Sequence, residues 1–180
     1  MGNYRKKVCI QGLGFVGAAM AVAIAGARSK EGHLLYDVTG IDLDTSRGRE
    51  RVYAIQEGRF PFTTSDTTLL QTLAVSIREK NISATFDESV YETADVVVID
   101  VALDIDFHQD QPLLDMSVLE QAIRSVVSRV PEGCLLLVET TLPPGTCERV
   151  ITPILGEELR KRGLGEFSVH LAHSFERVMP

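Results

Sequence analysis

The sequence predicts an α/β fold: a doubly wound, mostly parallel six-stranded sheet covered by helices on both faces, in three layers. Three observations predict it. Short apolar runs alternate along the chain with helical patterns, the order expected of a wound α/β sheet. Several runs are continuous rather than alternating, such as Val96-Val97-Val98-Ile99 and Leu135-Leu136-Leu137-Val138, as suits strands covered on both sides. A regularly spaced glycine turn joins the first strand to the first helix.

The elements follow in order. Lys7–Gln11 reads as a short buried strand. Phe15–Arg28, with alanine at 18, 19, 21, 23, 25 and 27, reads as a helix able to pack closely on a sheet. Tyr36–Asp42 is the second strand and Thr45–Gln56 a polar amphipathic helix. Ser65–Glu79 opens on Ser-x-x-Thr and carries Leu69, Leu70, Leu73 and Ile77 on one face. Ile82–Phe86 is a strand, Glu88–Tyr91 a short helix and Val96–Val101 the fourth strand. Asp115–Arg129 is a helix capped by Asp115 or Ser117, with Leu119, Ile123, Val126 and Val127 inward. Cys134–Thr140 is the fifth strand. Thr146–Arg162 is a helix capped by Thr146, with a basic last turn and a stop at Gly163. Phe167–Ala172 is the sixth strand. The chain stops just after it, so the expectation is one cofactor-binding domain over 1–180, belonging to a longer protein.

Composition narrows the function. At 180 residues, with 44% hydrophobic and 24% charged, the chain can bury a sizeable core and is not disordered. Its net charge of −7 argues against a nucleic-acid partner and against an anionic membrane surface. Cys9, Cys134 and Cys147 form neither a disulfide framework nor a metal pair, which suits a reducing cytoplasm. The basic start followed by an apolar stretch has the outline of a secretory signal. Gly12, Gly14 and Gly17 break that stretch into strand and helix and argue against it.

Gly12-Leu13-Gly14-Phe15-Val16-Gly17 is G-x-G-x-x-G between a strand and a helix, the setting of a Rossmann-type dinucleotide site. Gly12 permits the tight turn, Gly14 lets backbone approach a pyrophosphate and Gly17 lets the helix sit close to the strand. The helix N-terminus offers N–H groups to the phosphates. Gly40-Ile41-Asp42 supplies an acid at the end of the second strand. A carboxylate there can accept both ribose hydroxyls and repels a 2′-phosphate, so NAD is favoured over NADP. Arg47, at the next helix start, is either a second cofactor contact or a surface charge.

Two further segments end strands. Glu139-Thr140-Thr141-Leu142-Pro143-Pro144-Gly145-Thr146 places two threonines at a carboxyl edge, where α/β sheets bind ligands. From spacing alone, satisfying backbone groups at the turn is their better reading. His173 to Pro180 places Glu176 at the next edge, open to a ligand or to an ion pair. The acidic run Asp104–Asp110 lacks the glycine and distal glutamate of a calcium loop and reads as a solvated crevice loop, so no metal is expected.

Three stretches, the glycine loop Gly12–Gly17 with Gly40-Ile41-Asp42-Leu43-Asp44, the run Glu139–Thr146, and Phe175-Glu176-Arg177-Val178-Met179-Pro180, resemble the UDP-glucose/GDP-mannose dehydrogenases, which oxidise nucleotide sugars to uronic acids. The resemblance spans the chain but only the family's N-terminal NAD-binding domain. It implies two NAD per sugar: oxidation of the C6 alcohol to an aldehyde, capture by a cysteine, a second hydride transfer and hydrolysis of the thioester. It implies that Gly12, Gly14 and Gly17 hold the pyrophosphate, Asp42 the adenosine ribose with Arg47 near it, and that Thr141 stands beside the nicotinamide, with Phe15, Val16 and Val101 as further cofactor-binding residues. Thr141 would help hold the catalytic water and Glu176 would line the reacting centre. The family's Thr-Pro pair after the fourth strand is absent from Val101-Ala102-Leu103-Asp104, and Phe175 replaces a proline. The family's dimer helix, catalytic lysine and nucleophilic cysteine have no counterpart here. This domain alone is thus expected to bind NAD without turnover, its nucleotide-sugar substrate and homodimer needing the rest of the protein. Two alternatives are a stand-alone NAD(H)-binding regulatory module and a dehydrogenase of the 6-phosphogluconate or hydroxyisobutyrate type.

Overall fold

The computed structural model describes residues 4–103, 105–108 and 111–174. Six strands form one sheet: β1 (Lys6–Gln11), β2 (Tyr36–Ile41), β3 (Ile82–Thr85), β4 (Val96–Ile99), β7 (Leu135–Val138) and β8 (His170–His173). Their order is β3-β2-β1-β4-β7-β8 and every neighbouring pair is parallel. The chain winds outward in one direction from β1, then returns and winds the other way from β4. That reversal between β1 and β4 is the crevice of a doubly wound sheet.

Alternation within the strands builds two cores. Val8, Ile10, Val38 and Val98 face α1 (Phe15–Ala25), α2 (Ser46–Gln56) and α3 (Thr67–Glu79). Cys9, Val97, Ile99, Leu136 and Val138 face α4 (Ser117–Val127) and α5 (Thr152–Lys161). Both faces of the central strands are therefore dry, which is why their sequences run continuously apolar.

The predicted elements are all present, with shifted ends. The first helix stops at Ala25, at a Gly26 cap, instead of Arg28. Asp66, not Ser65, caps α3, accepting from the Leu69 N–H at 2.9 Å. The start of α4 is fixed by Asp115, whose carboxylate accepts from the Ser117 N–H at 2.8 Å. Thr146 is no cap: its hydroxyl donates back to the Pro143 carbonyl at 2.7 Å, and a wide π-type turn, Cys147–Ile151, leads into α5. The last strand begins at His170; Phe167, placed in it from sequence, is exposed. A short 3-10 helix, Glu88–Thr93, follows β3. The acidic run read as a loop instead carries β5 (Ile105–His108), paired antiparallel with β6 (Gln111–Leu114). Ile105 and Phe107 alternate with Asp106 and His108, a strand period that the acidic residues around it masked.

Helices α4 and α5 are tied by Arg124, which donates to Glu157 (2.8 Å) and Glu158 (2.6 Å), while Lys161 reaches both carboxylates. Hydrogen bonds from Lys161 and then Arg124 push the Glu157 pKa down from its ordinary 4.5 to about 2, and Lys161 likewise lowers Glu158. A carboxyl depressed in the folded state stabilises fully above its unfolded pKa and loses that contribution as pH falls through the folded value. The melting temperature of Glu157→Gln should therefore approach that of the unmodified chain as pH drops from about 4.5 towards 2. A constant gap across that window would show that the pair does not couple to folding.

Candidate functional site

The site lies at the carboxyl edge of the sheet, over the β1–β4 reversal. Gly12 follows β1 with φ of 99°, and its N–H donates to the Ile41 carbonyl at 2.9 Å. A Cβ at Gly12 would overlap the Asp100 carbonyl, and one at Gly17 would overlap the Gly12 carbonyl. These two glycines are required by close backbone packing between β1, α1 and β4. Gly14 differs: a Cβ there would meet nothing within 4 Å. It is the space over Gly14 that the fold leaves open. Gly14 caps α1 without a side chain, so the first-turn N–H groups of α1 are left for an anion.

Two cavities meet above that space. The larger, about 630 Å³, runs from Gly12 and Asp42 to the face of α4 carrying Gln121 and Ser125. The smaller, about 320 Å³, reaches Thr141 past Phe15 and Val16. Gly14, Asp100, Val101 and Ala102 line both. A cleft with a backbone-walled waist over a helix N-terminus fits a dinucleotide, with a nucleoside in each lobe and the pyrophosphate at Gly14.

Asp42 stands at the end of β2 in the larger lobe, its side chain 10% exposed. Its carboxylate accepts from the Leu13 N–H (3.3 Å), the Leu43 N–H (2.8 Å) and the Arg51 guanidinium (3.1 Å). Those donors fix its rotamer at the cavity wall. Arg47 is exposed on the first turn of α2 and lines neither lobe. Arg51, one turn later, does line the larger lobe. Sequence reasoning missed it because a basic residue near the acid had already been found in Arg47; helical spacing of four was the available signal. The same holds for Gln121 and Ser125 on α4 and Arg129 just beyond its end, which line the larger lobe.

The two threonines divide the two readings between them. Thr140 is buried, and its hydroxyl accepts from the Val101 N–H (3.1 Å) while donating to the Val101 carbonyl (3.0 Å). It satisfies backbone and thereby holds Val101 at the waist. Thr141, next along, is exposed into the smaller lobe. Thr140→Val should leave both Val101 groups unpaired at a cost of about 1–3 kcal/mol, and should weaken ligand binding as the waist loosens. Urea melts and ligand titration of Thr140→Val against Thr140→Ser, which keeps the hydroxyl, would check this; equal behaviour of the two variants would show the hydroxyl has no such role.

His173, at the end of β8, has Nε2 3.3 Å from the Thr140 carbonyl, so the last strand abuts the same edge. Glu176 lies outside the described residues. Gln11, buried at the end of β1, lines the larger lobe and accepts from the hydroxyl of Tyr91, which is fully buried. None of the cysteines sits in either lobe. Burial pushes the Cys9 thiol up to about 12 and Cys134 to about 11, and raises Cys147 too. Such thiols are poor nucleophiles. Among the described residues no three His, Cys, Asp or Glu side chains converge as a metal site would need, and no helix is long and apolar enough to cross a membrane.

The sequence profile of the UDP-glucose/GDP-mannose dehydrogenase family, NAD binding domain, matches residues 6–180. The UDP-N-acetyl-D-mannosamine dehydrogenase of Methanocaldococcus jannaschii is 28% identical over 97% of this chain and 35% of its own length. The enzyme of the same name from Pyrococcus horikoshii is 30% identical, over 97% of this chain and 37% of its own. Among solved structures, the NDP-N-acetyl-D-galactosaminuronic acid dehydrogenase of Methanosarcina mazei Go1 superposes with a TM-score of 0.83 at 27% identity, covering 97% of this chain and 35% of that one. The chain thus spans about 35% of the length of the relatives it matches.

Proposed function

The chain belongs to the UDP-glucose/GDP-mannose dehydrogenase family, as its NAD-binding domain, and from that premise we propose that it is the cofactor half of a nucleotide-sugar 6-dehydrogenase. The reaction proposed is oxidation of the C6 alcohol of a UDP- or GDP-sugar to the uronic acid in two hydride transfers. The observation that carries this reading is the pair of lobes sharing Gly14, Asp100, Val101 and Ala102, with Asp42 at one end and Thr141 at the other.

NAD supplies the hydride acceptor. The residues of this chain bind and orient it. Gly12 and Gly17 bring strand and helix together, and Gly14 leaves the pyrophosphate its place over the α1 N-terminus. Asp42, its rotamer fixed by two backbone N–H groups and Arg51, accepts from the adenosine ribose. Thr140 holds the Val101 backbone at the waist. Thr141 presents a hydroxyl to the reacting end, where it can orient water for hydrolysis. Glu176, three residues beyond His173, is assigned to the same centre from its motif. We place the nucleophilic thiol and the sugar-binding residues outside these 180 residues, because Cys9, Cys134 and Cys147 are raised in pKa and away from both lobes. A cytoplasmic setting and a homodimer of the whole protein complete the proposal. The relatives, all bearing dehydrogenase names, favour it over a regulatory NAD(H) module.

The test is to incubate the chain with NAD and a UDP-sugar and to follow both binding and NADH absorbance. Bound NAD with no NADH is the expected result. Turnover by this chain alone would overturn the placement of thiol and sugar site elsewhere.

A further inference from the structure

We propose that Arg51 sets the choice between NAD and NADP at this site, and that the Asp42 carboxylate holds it in the state that selects NAD. This rests on the dinucleotide reading above and adds the residue that governs its specificity.

The geometry around Arg51 is specific. Its Nη1 lies 3.1 Å from Asp42 Oδ2, and its Cζ lies 5.6 Å from the centroid of the Phe62 ring. Phe62 packs edge-on against Phe15, the first residue of α1, with centroids 5.7 Å apart, and Phe60 closes the cluster. The guanidinium is thus held between the ribose-binding acid and aromatic rings anchored to the phosphate-binding turn. It is 29% exposed and lines the larger lobe. The neighbouring basic residues are placed otherwise: Arg49 pairs with Asp44, and Arg47 is exposed and lines neither lobe.

Two chemical consequences follow. First, Asp42 and Arg51 together carry no net charge, so a 2′-phosphate arriving here meets much less repulsion than an isolated carboxylate would give. Second, a guanidinium has five N–H donors in a planar fork suited to phosphate. Asp42 engages it through Nη1, and that ion pair keeps it directed at the carboxylate. Removing the negative charge of Asp42 while keeping its shape releases the fork to a 2′-phosphate. The Glu88–Arg129 pair on the opposite wall, 3.0 Å apart, is self-compensating and does not bias the choice.

The test compares affinities for NAD, NADP and 5′-AMP in the unmodified chain, Asp42→Asn, Arg51→Gln and the double variant, with a thermal melt of each. Asp42→Asn keeps an oxygen for the Leu43 N–H, and its amide nitrogen takes the place of the oxygen that accepts from the Leu13 N–H and Arg51. It should improve NADP relative to NAD by about tenfold or more, the worth of one charge-assisted phosphate contact. Adding Arg51→Gln should abolish that gain, whereas adding Arg47→Gln should leave it. A gain that persists without Arg51, or that disappears with Arg47→Gln, overturns the proposal, as does no gain in Asp42→Asn when its melt is unchanged. If Asp42→Asn does not fold, Arg51→Gln alone decides: it should lower the NADP to NAD affinity ratio, and an unchanged ratio overturns the proposal. An unmodified chain that binds neither NAD nor 5′-AMP would instead refute the dinucleotide reading itself.

Discussion

Gly14→Val is expected to weaken NAD binding by roughly a hundredfold, about 2.7 kcal/mol, while leaving the melting temperature unchanged. The reasoning is geometric. Gly14 has φ of −56°, which any residue adopts, and a Cβ there meets nothing within 4 Å. The added Cβ thus clashes with nothing in the fold. It projects into the waist that both lobes share, where the pyrophosphate must approach backbone. Calorimetric titration with a parallel thermal melt separates the two effects. Unchanged affinity would mean the phosphates do not sit over Gly14.

Gly12→Ala is expected to do the opposite and damage the fold first. At φ of 99° the residue occupies a region that side-chain-bearing residues rarely adopt, and its Cβ would overlap the Asp100 carbonyl at the end of β4. Backbone strain and overpacking together should cost about 3–5 kcal/mol. Against a typical stability of about 5–15 kcal/mol, that would greatly lower the urea midpoint. A midpoint within error of the unmodified chain would show that β1 and β4 can separate at no cost, contrary to the packing described.

Together these substitutions show why one motif was readable from sequence and its energetics were not. Strand, glycines, helix and Asp42 lie within one contiguous stretch, so spacing alone announced the turn and the acid. Which glycine faces ligand and which faces backbone depends on β4, nearly ninety positions away, and no local pattern carries that. The same limit applies to Arg51. Arg47 matched a position, but it stands exposed on the first turn of α2, and it is Arg51, one turn further along the same face, that pairs with Asp42. At the second edge, Thr140 and Thr141 are chemically identical in sequence. Only the path of the chain beyond β7 decides that one clamps Val101 and the other meets the cavity. The existence of the six sheet strands and their covering helices was legible because the two cores impose continuous apolar strands and one-sided helices. Element ends were less so, since Asp66 and Thr146 compete with neighbours of equal capping chemistry. The β5–β6 hairpin was overlooked because its two strands are only four residues each and the first lies in an acidic run, although Ile105 and Phe107 alternate with Asp106 and His108 in a strand period.

The most direct measurement is calorimetric titration of this chain with NAD, with Gly14→Val as its partner experiment. Saturable one-to-one binding in the unmodified chain, lost in Gly14→Val at unchanged melting temperature, is the predicted result. No binding by a folded, unmodified chain, or equal binding by both, would contradict the placement of NAD across Gly14 between Asp42 and Thr141.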